Sequence, residues 1–131
     1  MLHSVHGKEK VGLDNSIVRL KFASQEFGDE ALWVLAECTD LPFEDKEFDT
    51  VLLTDILEHL VLEDATKTLA EGARVGKKLI VTFPKDTSYI SPNIEHIWPC
   101  SKEAVEDLLK GYPYVMKSST CDNFWLVIIE L

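Results

Sequence analysis

The stretch Glu37–Leu60, ECTDLPFEDKEFDTVLLTDILEHL, follows one short apolar run, Leu32–Ala36, and contains a second, Thr50–Leu53. Runs of this length, rich in leucine and valine, suit parallel strands buried on both faces. Each run stops at polar residues: Glu37 after the first, the Thr54-Asp55 pair after the second. Leu41-Pro42-Phe43 makes a tight apolar turn between them, with proline holding one backbone angle. In an open α/β sheet, ligands bind outside the carboxyl ends of the strands. Glu37, Thr54 and Asp55 are therefore candidate pocket residues.

Working outward, strand and helix patterns alternate. Lys10–Leu13 reads as a strand ending at Asp14, and Asn15 or Ser16 caps a helix whose Ile17, Val18, Leu20, Lys21 and Phe22 carry an apolar stripe to about Phe27. Downstream, Leu57–Leu60 begins a helical turn, and Glu63–Ala73 is a helix with Ala65, Leu69, Ala70 and Ala73 on one side. Lys78–Phe83 is a strand stopped by Pro84, and a long loop, Lys85–Pro99, leads to a capped helix over Ser101–Lys110 that Gly111 ends by accepting a left-handed conformation. Tyr114–Ser119 and Phe124–Glu130, joined by a Cys-Asp-Asn turn, read as an antiparallel hairpin. Alternation of this kind predicts a parallel α/β layer. No internal repeat or linker interrupts it.

The 131 residues, 46% of them hydrophobic, predict one domain over residues 1–131 with a core that needs neither disulfides nor metal. Thirteen basic against 23 acidic side chains give a formal charge of -10, which repels phosphate backbones and anionic lipid, so direct nucleic-acid binding and membrane association are not expected. Cys38, Cys100 and Cys121 are odd in number and lack Cys-x-x-Cys spacing, which points to a reducing, cytoplasmic setting. Met1–Lys10 has no apolar core of a secretory signal, and no apolar run reaches the roughly 18 residues of a membrane span.

The order Glu37-Cys-Thr-Asp-Leu-Pro-Phe43, Phe48-Asp49-Thr-Val51 and Leu57-Glu-His-Leu60 resembles the class I S-adenosylmethionine-dependent methyltransferases of the type 11 branch, from about Val11 to the C-terminus. The resemblance implies a Rossmann-like, mostly parallel sheet with helices on both faces and a C-terminal antiparallel hairpin. Such enzymes open with a strand running into a glycine-rich turn, since only glycine lets the backbone approach the cofactor closely. This chain has no Gly-x-Gly, and ten residues precede the strand matching the family's second. An N-terminally truncated member, its first strand missing or replaced, is the expectation. Three fillings for that central place stand open: direct pairing of the second and fourth family strands, a substitute strand at Leu2–Val5, or a strand from another subunit. The last would make a homo-oligomer or a complex with a partner subunit.

What the resemblance implies for the site follows residue by residue. Asp14 takes the place of the carboxylate that accepts from both ribose hydroxyls, a task suited to a two-oxygen acceptor; the structural alternative is that it favours the start of the following helix. Glu37 takes the place of the acceptor for the adenine amino group, with the Cys38 backbone N–H near the ring and Thr54 at the next strand end. Leu41 and Phe43 serve as core plugs in either case, and Asp49 reads as a turn residue. Asp55, His59 and His96 are the catalytic candidates on the acceptor side, where a general base is needed. Tyr89 and Trp98 suit an aromatic pocket wall. Asp55-x-x-Glu58-His59 also resembles a Glu-x-x-Glu-His pattern that holds a divalent ion in a few members, but Leu-Glu-His-Leu is common in members without metal, and no metal is assigned. His3 and His6 are read as solvated.

Two functions remain open: methyl transfer from S-adenosylmethionine to a small-molecule or protein acceptor, or a non-catalytic binding or assembly module that keeps the fold without the cofactor. An upstream reading frame that encodes the missing strand is a third origin for the same sequence.

Overall fold

In the computed structural model, residues 6–85, 100–118 and 123–131 are described. The chain forms two compact units, Met1–Pro42 and Phe43–Leu131.

The first unit is a β-α-β arrangement. Strand β1 (Val11–Asp14) leads into helix α1 (Ile17–Phe27), a single 3₁₀ turn (Gly28–Glu30) follows, and β2 (Leu32–Leu35) pairs parallel to β1 with Val11 opposite Leu32 and Asp14 opposite Leu35. Ser16 is the cap that starts α1: its backbone is extended and its hydroxyl accepts from the Arg19 N–H at 3.4 Å. Gly28, at φ +54°, ends the helix, and its N–H donates to the Ser24 carbonyl. The Gly28 carbonyl in turn accepts from Trp33 Nε1 at 3.2 Å, which lays the indole over Gly12. A Cβ at Gly12 would stand 2.4 Å from the ring, so this close packing requires glycine.

The apolar stripe expected along α1 is not a buried face. Leu20 is buried, whereas Ile17 and Val18 are exposed and Phe22 is 69% exposed. Two strands of four residues offer area for little more than one leucine, and so the rest of the stripe stays at the surface.

The second unit carries a four-stranded sheet. Its elements are β3 (Val51–Thr54), a 3₁₀ turn (Leu57–His59), α2 (Leu62–Val75), β4 (Lys78–Pro84), α3 (Lys102–Leu108), β5 (Tyr114–Ser118) and β6 (Phe124–Glu130). The strand order is β3-β4-β6-β5, with β3 parallel to β4 and β6 antiparallel to both β4 and β5. The expected C-terminal hairpin is present, with β6 inserted between its partner β5 and the parallel pair. Strand β4 ends on Pro84, which is its last residue, one beyond the expected Phe83, and lies opposite Phe124. The ladders form two separate sheets, so direct pairing of Val11–Asp14 with Val51–Thr54 is not among them, and Leu2–Val5 lies outside the described residues.

Strand β4 is the centre of this unit's core. Leu79, Val81 and Phe83 alternate onto one face and meet Leu53, Leu57, Leu69, Val105, Val127 and Ile129, all buried. Full burial of each such side chain contributes about 1.5–3 kcal/mol. Helix α2 presents Ala65, Thr68, Leu69, Gly72 and Val75, so Ala70, expected on the inner face, is exposed. Gly72 permits the close approach, since a Cβ there would lie 3.2 Å from Leu79 and 3.3 Å from Leu53. The segment before β3 is clamped to the end of α2. Lys46 Nζ donates to the Ala73 and Gly76 carbonyls, both at 2.9 Å, and Arg74 Nη1 donates to the Phe43 carbonyl at 2.8 Å. Phe43 packs edge-on against Phe48 with ring centroids 4.9 Å apart, and both rings are half-buried, outside the core cluster expected to take Phe43.

Candidate functional site

Each unit brings polar residues to the carboxyl rim of its parallel strands. In the first unit Asp14 is the last residue of β1, and Glu37 lies two residues beyond β2. Because the strands are parallel and in register to their ends, both carboxylates belong to one rim. Asn15 ties the two loops together, donating from Nδ2 to Glu37 Oε2 at 3.2 Å. Asp14 Oδ1 accepts the Ser16 N–H at 2.8 Å and lies 3.3 Å from Arg19 Nε. The carboxylate thus also serves the start of α1, as its structural alternative expects. Glu37 is exposed and Cys38 half-buried.

The second unit's rim is built around the end of β3. Thr54 pairs with Thr82 on β4, and Asp55 turns the chain at φ 55°, in the left-handed region that aspartate tolerates better than most residues. Thr82 holds that turn from the neighbouring strand: its hydroxyl accepts the Asp55 N–H and donates to Asp55 Oδ1, each at 3.3 Å. The 3₁₀ turn follows at once, anchored by Leu57, which is fully buried.

This turn sends Glu58 and His59 in different directions. The Glu58 side chain is 2% exposed and the His59 imidazole 38% exposed, with Glu58 Oε1 4.0 Å from His59 Nε2. Burial holds the Glu58 carboxyl above the usual carboxylate range, offset in part by its own backbone N–H and by His59; the Asp55 charge adds to the rise. Cys100 is buried close enough to feel Glu58, and its thiol is pushed up to about 12, mainly by burial and then by that negative charge. A thiol so placed stays protonated and is no nucleophile.

Of the residues singled out from sequence, Asp14, Glu37 and Cys38 share the first rim, and Thr54, Asp55 and His59 share the second. Glu58 is buried with its Oε1 4.0 Å from His59 Nε2, and among the described residues no three His, Cys, Asp or Glu side chains form a group that could hold a metal ion. His96, Tyr89, Trp98 and His3 lie outside the described residues; His6 is exposed. Sequence reading missed Asn15 as the link to Glu37 and Thr82 as the clamp on Asp55. The first is signalled by its place directly after Asp14, the second by the parallel register that sets Thr82 opposite Thr54. No helix is long and apolar enough to cross a membrane among the described residues.

Comparison with curated proteins found no match. Solved structures do share the fold. A SAM-dependent methyltransferase from Aquifex aeolicus superposes with a TM-score of 0.77 at 18% identity, covering 99% of this chain and 73% of that one. The complex between the Haloferax volcanii Trm112 methyltransferase activator and a methyltransferase gives 0.74 at 16% identity, with 93% and 71% covered. Magnesium protoporphyrin IX methyltransferase from Synechocystis PCC 6803, with SAM bound, gives 0.67 at 18% identity, with 95% of this chain and 60% of that chain covered. At such identities the likeness is one of fold. The sequence itself matches the family model for a methyltransferase domain over residues 1–79, a span that includes Asp14, Glu37, Asp55 and His59, and the chain therefore belongs to the methyltransferase domain family.

Proposed function

We propose that this protein is an S-adenosylmethionine-dependent methyltransferase acting on a small-molecule or protein acceptor. The observation that carries the reading is the pair of carboxylates, Asp14 and Glu37, at one rim of a parallel strand pair and joined through Asn15. Two ribose hydroxyls and an adenine amino group are all donors, and a rim of carboxylate acceptors fits that nucleoside half. Bound S-adenosylmethionine supplies an electrophilic methyl group on a sulfonium. The chain's own part is to hold the nucleoside at Asp14, Glu37 and the Cys38 backbone, with Thr54 as a further cofactor contact. Asp55 and His59 take the acceptor side, as does His96 by resemblance. There an exposed imidazole or carboxylate removes the acceptor's proton while position and charge lower the barrier.

Calorimetric titration with S-adenosylmethionine and S-adenosylhomocysteine tests the reading. Micromolar binding is expected, and no heat at millimolar ligand would sink it. The second reading, a methyltransferase-like binding or assembly module, is favoured by one feature, the absence of Gly-x-Gly. The fold relative from Haloferax volcanii in complex with an activator supports a partner subunit as a contributor to the working assembly. Light scattering of the purified assembly reads that out.

A further inference from the structure

The turn after β3 sets a buried carboxyl behind an imidazole that faces outward. Glu58 Oε2 is buried and has no hydrogen-bond partner among the described residues, and Oε1 lies 4.0 Å from His59 Nε2, too far for a hydrogen bond but well within the range of its charge. Among the described residues, the titratable groups that act on Glu58 are Asp55 from the same loop, Cys100 ahead of α3, and His59. Asp55 can only repel a Glu58 carboxylate, and Cys100 is held as a neutral thiol. His59 is the one of the three that can become a cation. A carboxyl in such a place has no solvent to neutralise it and acts on whatever charge forms beside it.

We propose that Glu58 is a positioning residue for His59: its buried carboxylate stabilises the imidazolium that forms when Nε2 takes a proton from the methyl acceptor. This rests on the reading of the β3 rim as the acceptor side. In the balanced step the acceptor's heteroatom–hydrogen bond breaks and its proton passes to Nε2. The methyl group arrives from the sulfonium of S-adenosylmethionine, the thioether leaves, and the imidazolium later returns its proton to water. Burial, which favours the neutral Glu58 carboxyl, and a charge on His59, which favours the carboxylate, oppose one another at Glu58.

Proton NMR of the His59 ring across a pH series tests the coupling without any acceptor. In the wild-type protein the ring resonances should show a second step at the pH where Glu58 ionises, and Glu58→Gln should abolish that step while the circular dichroism spectrum stays unchanged. Should Glu58→Gln fail to fold, His59→Gln serves instead. Infrared detection of the Glu58 carboxylic-acid carbonyl band should then show it persisting to higher pH than in the wild type, because the cation that favours ionisation is gone. A wild-type ring without the second step, or a carbonyl band unmoved by His59→Gln, overturns the proposal even if S-adenosylhomocysteine binds. The converse result, coupling present but no S-adenosylhomocysteine binding, upholds the pair and sinks the methyltransferase reading instead.

Discussion

Asn15 Nδ2 donates to Glu37 Oε2 at 3.2 Å, so the residue after β1 reaches across to the loop after β2 and fixes the carboxylate proposed to receive the adenine amino group. Glu37→Gln removes a charged acceptor at an exposed position. We expect S-adenosylhomocysteine affinity to fall about tenfold or more, the scale of a hydrogen bond to a charged group, about 1.5–3 kcal/mol. Stability should change by no more than about 0.5 kcal/mol. Isothermal titration and urea unfolding of the same preparation separate the two effects.

Asp14→Asn should weaken the ligand by a similar factor while keeping an oxygen for the Ser16 N–H. Asp14→Ala loses that bond as well, and should add a loss of stability of about 0.5–2 kcal/mol, the range seen when a helix start is stripped of its side-chain acceptor. The difference between the two variants in unfolding midpoint tells the structural duty of this carboxylate from its binding duty.

The grip of Thr82 on Asp55 consists of two hydrogen bonds across the β3–β4 ladder. Thr82→Val preserves shape and removes both, at an expected cost of about 1–3 kcal/mol; Thr82→Ser should recover most of it. At Asp55 itself, with φ at 55°, alanine should be less stable than glycine by about 1 kcal/mol, since a Cβ is disfavoured in that region and glycine is not. Denaturant titration of the four variants checks the set.

Glu58 carries a pH signature with a definite sign. Its carboxyl is raised above the ordinary value of 4.5 in the folded state, mainly by burial, so the folded protein holds a proton that the unfolded chain has released. The corresponding stability is fully present below 4.5 and is lost as pH rises through the raised folded value. Urea unfolding of Glu58→Gln beside wild type, from about pH 4 to about pH 8, should give curves that diverge upward in that window, the variant gaining relative stability as pH rises. Parallel curves would contradict it.

Gly12→Ala puts a methyl group 2.4 Å from the Trp33 ring, which is tethered through its own N–H to Gly28. Overpacking of this kind costs about 1–3 kcal/mol. Hydrogen exchange of the β1 and β2 amides should accelerate accordingly, while amides of β4 and β6, in the other unit, keep their protection.

Much of the plan was legible in the chain itself. The order of strands and helices, the Ser16 cap and the turn at Gly111 all follow from local chemistry: an apolar run bounded by polar residues, a hydroxyl before a helix, a glycine where φ is positive. Asp14, Glu37, Thr54 and Asp55 could be set at strand ends for the same reason, because a strand's end is where its apolar run stops. Such features depend on neighbours a few residues apart, and sequence displays these directly.

Other features depend on which surfaces meet. Phe22 belongs to an apolar stripe yet stays exposed, because the two short strands beneath α1 bury little beyond Leu20. Thr82 reads as an ordinary strand residue until parallel register sets it beside Asp55, 27 positions earlier in the chain. Glu58 and His59 are adjacent in an exposed-looking turn, and only the closing of Leu57 and Cys100 onto the core drives one inward and leaves the other out. Sequence by itself determined the elements and the polar ends of their strands. Tertiary structure alone decided which of those groups are desolvated or paired, since burial is a property of what covers a side chain and not of the residues that flank it.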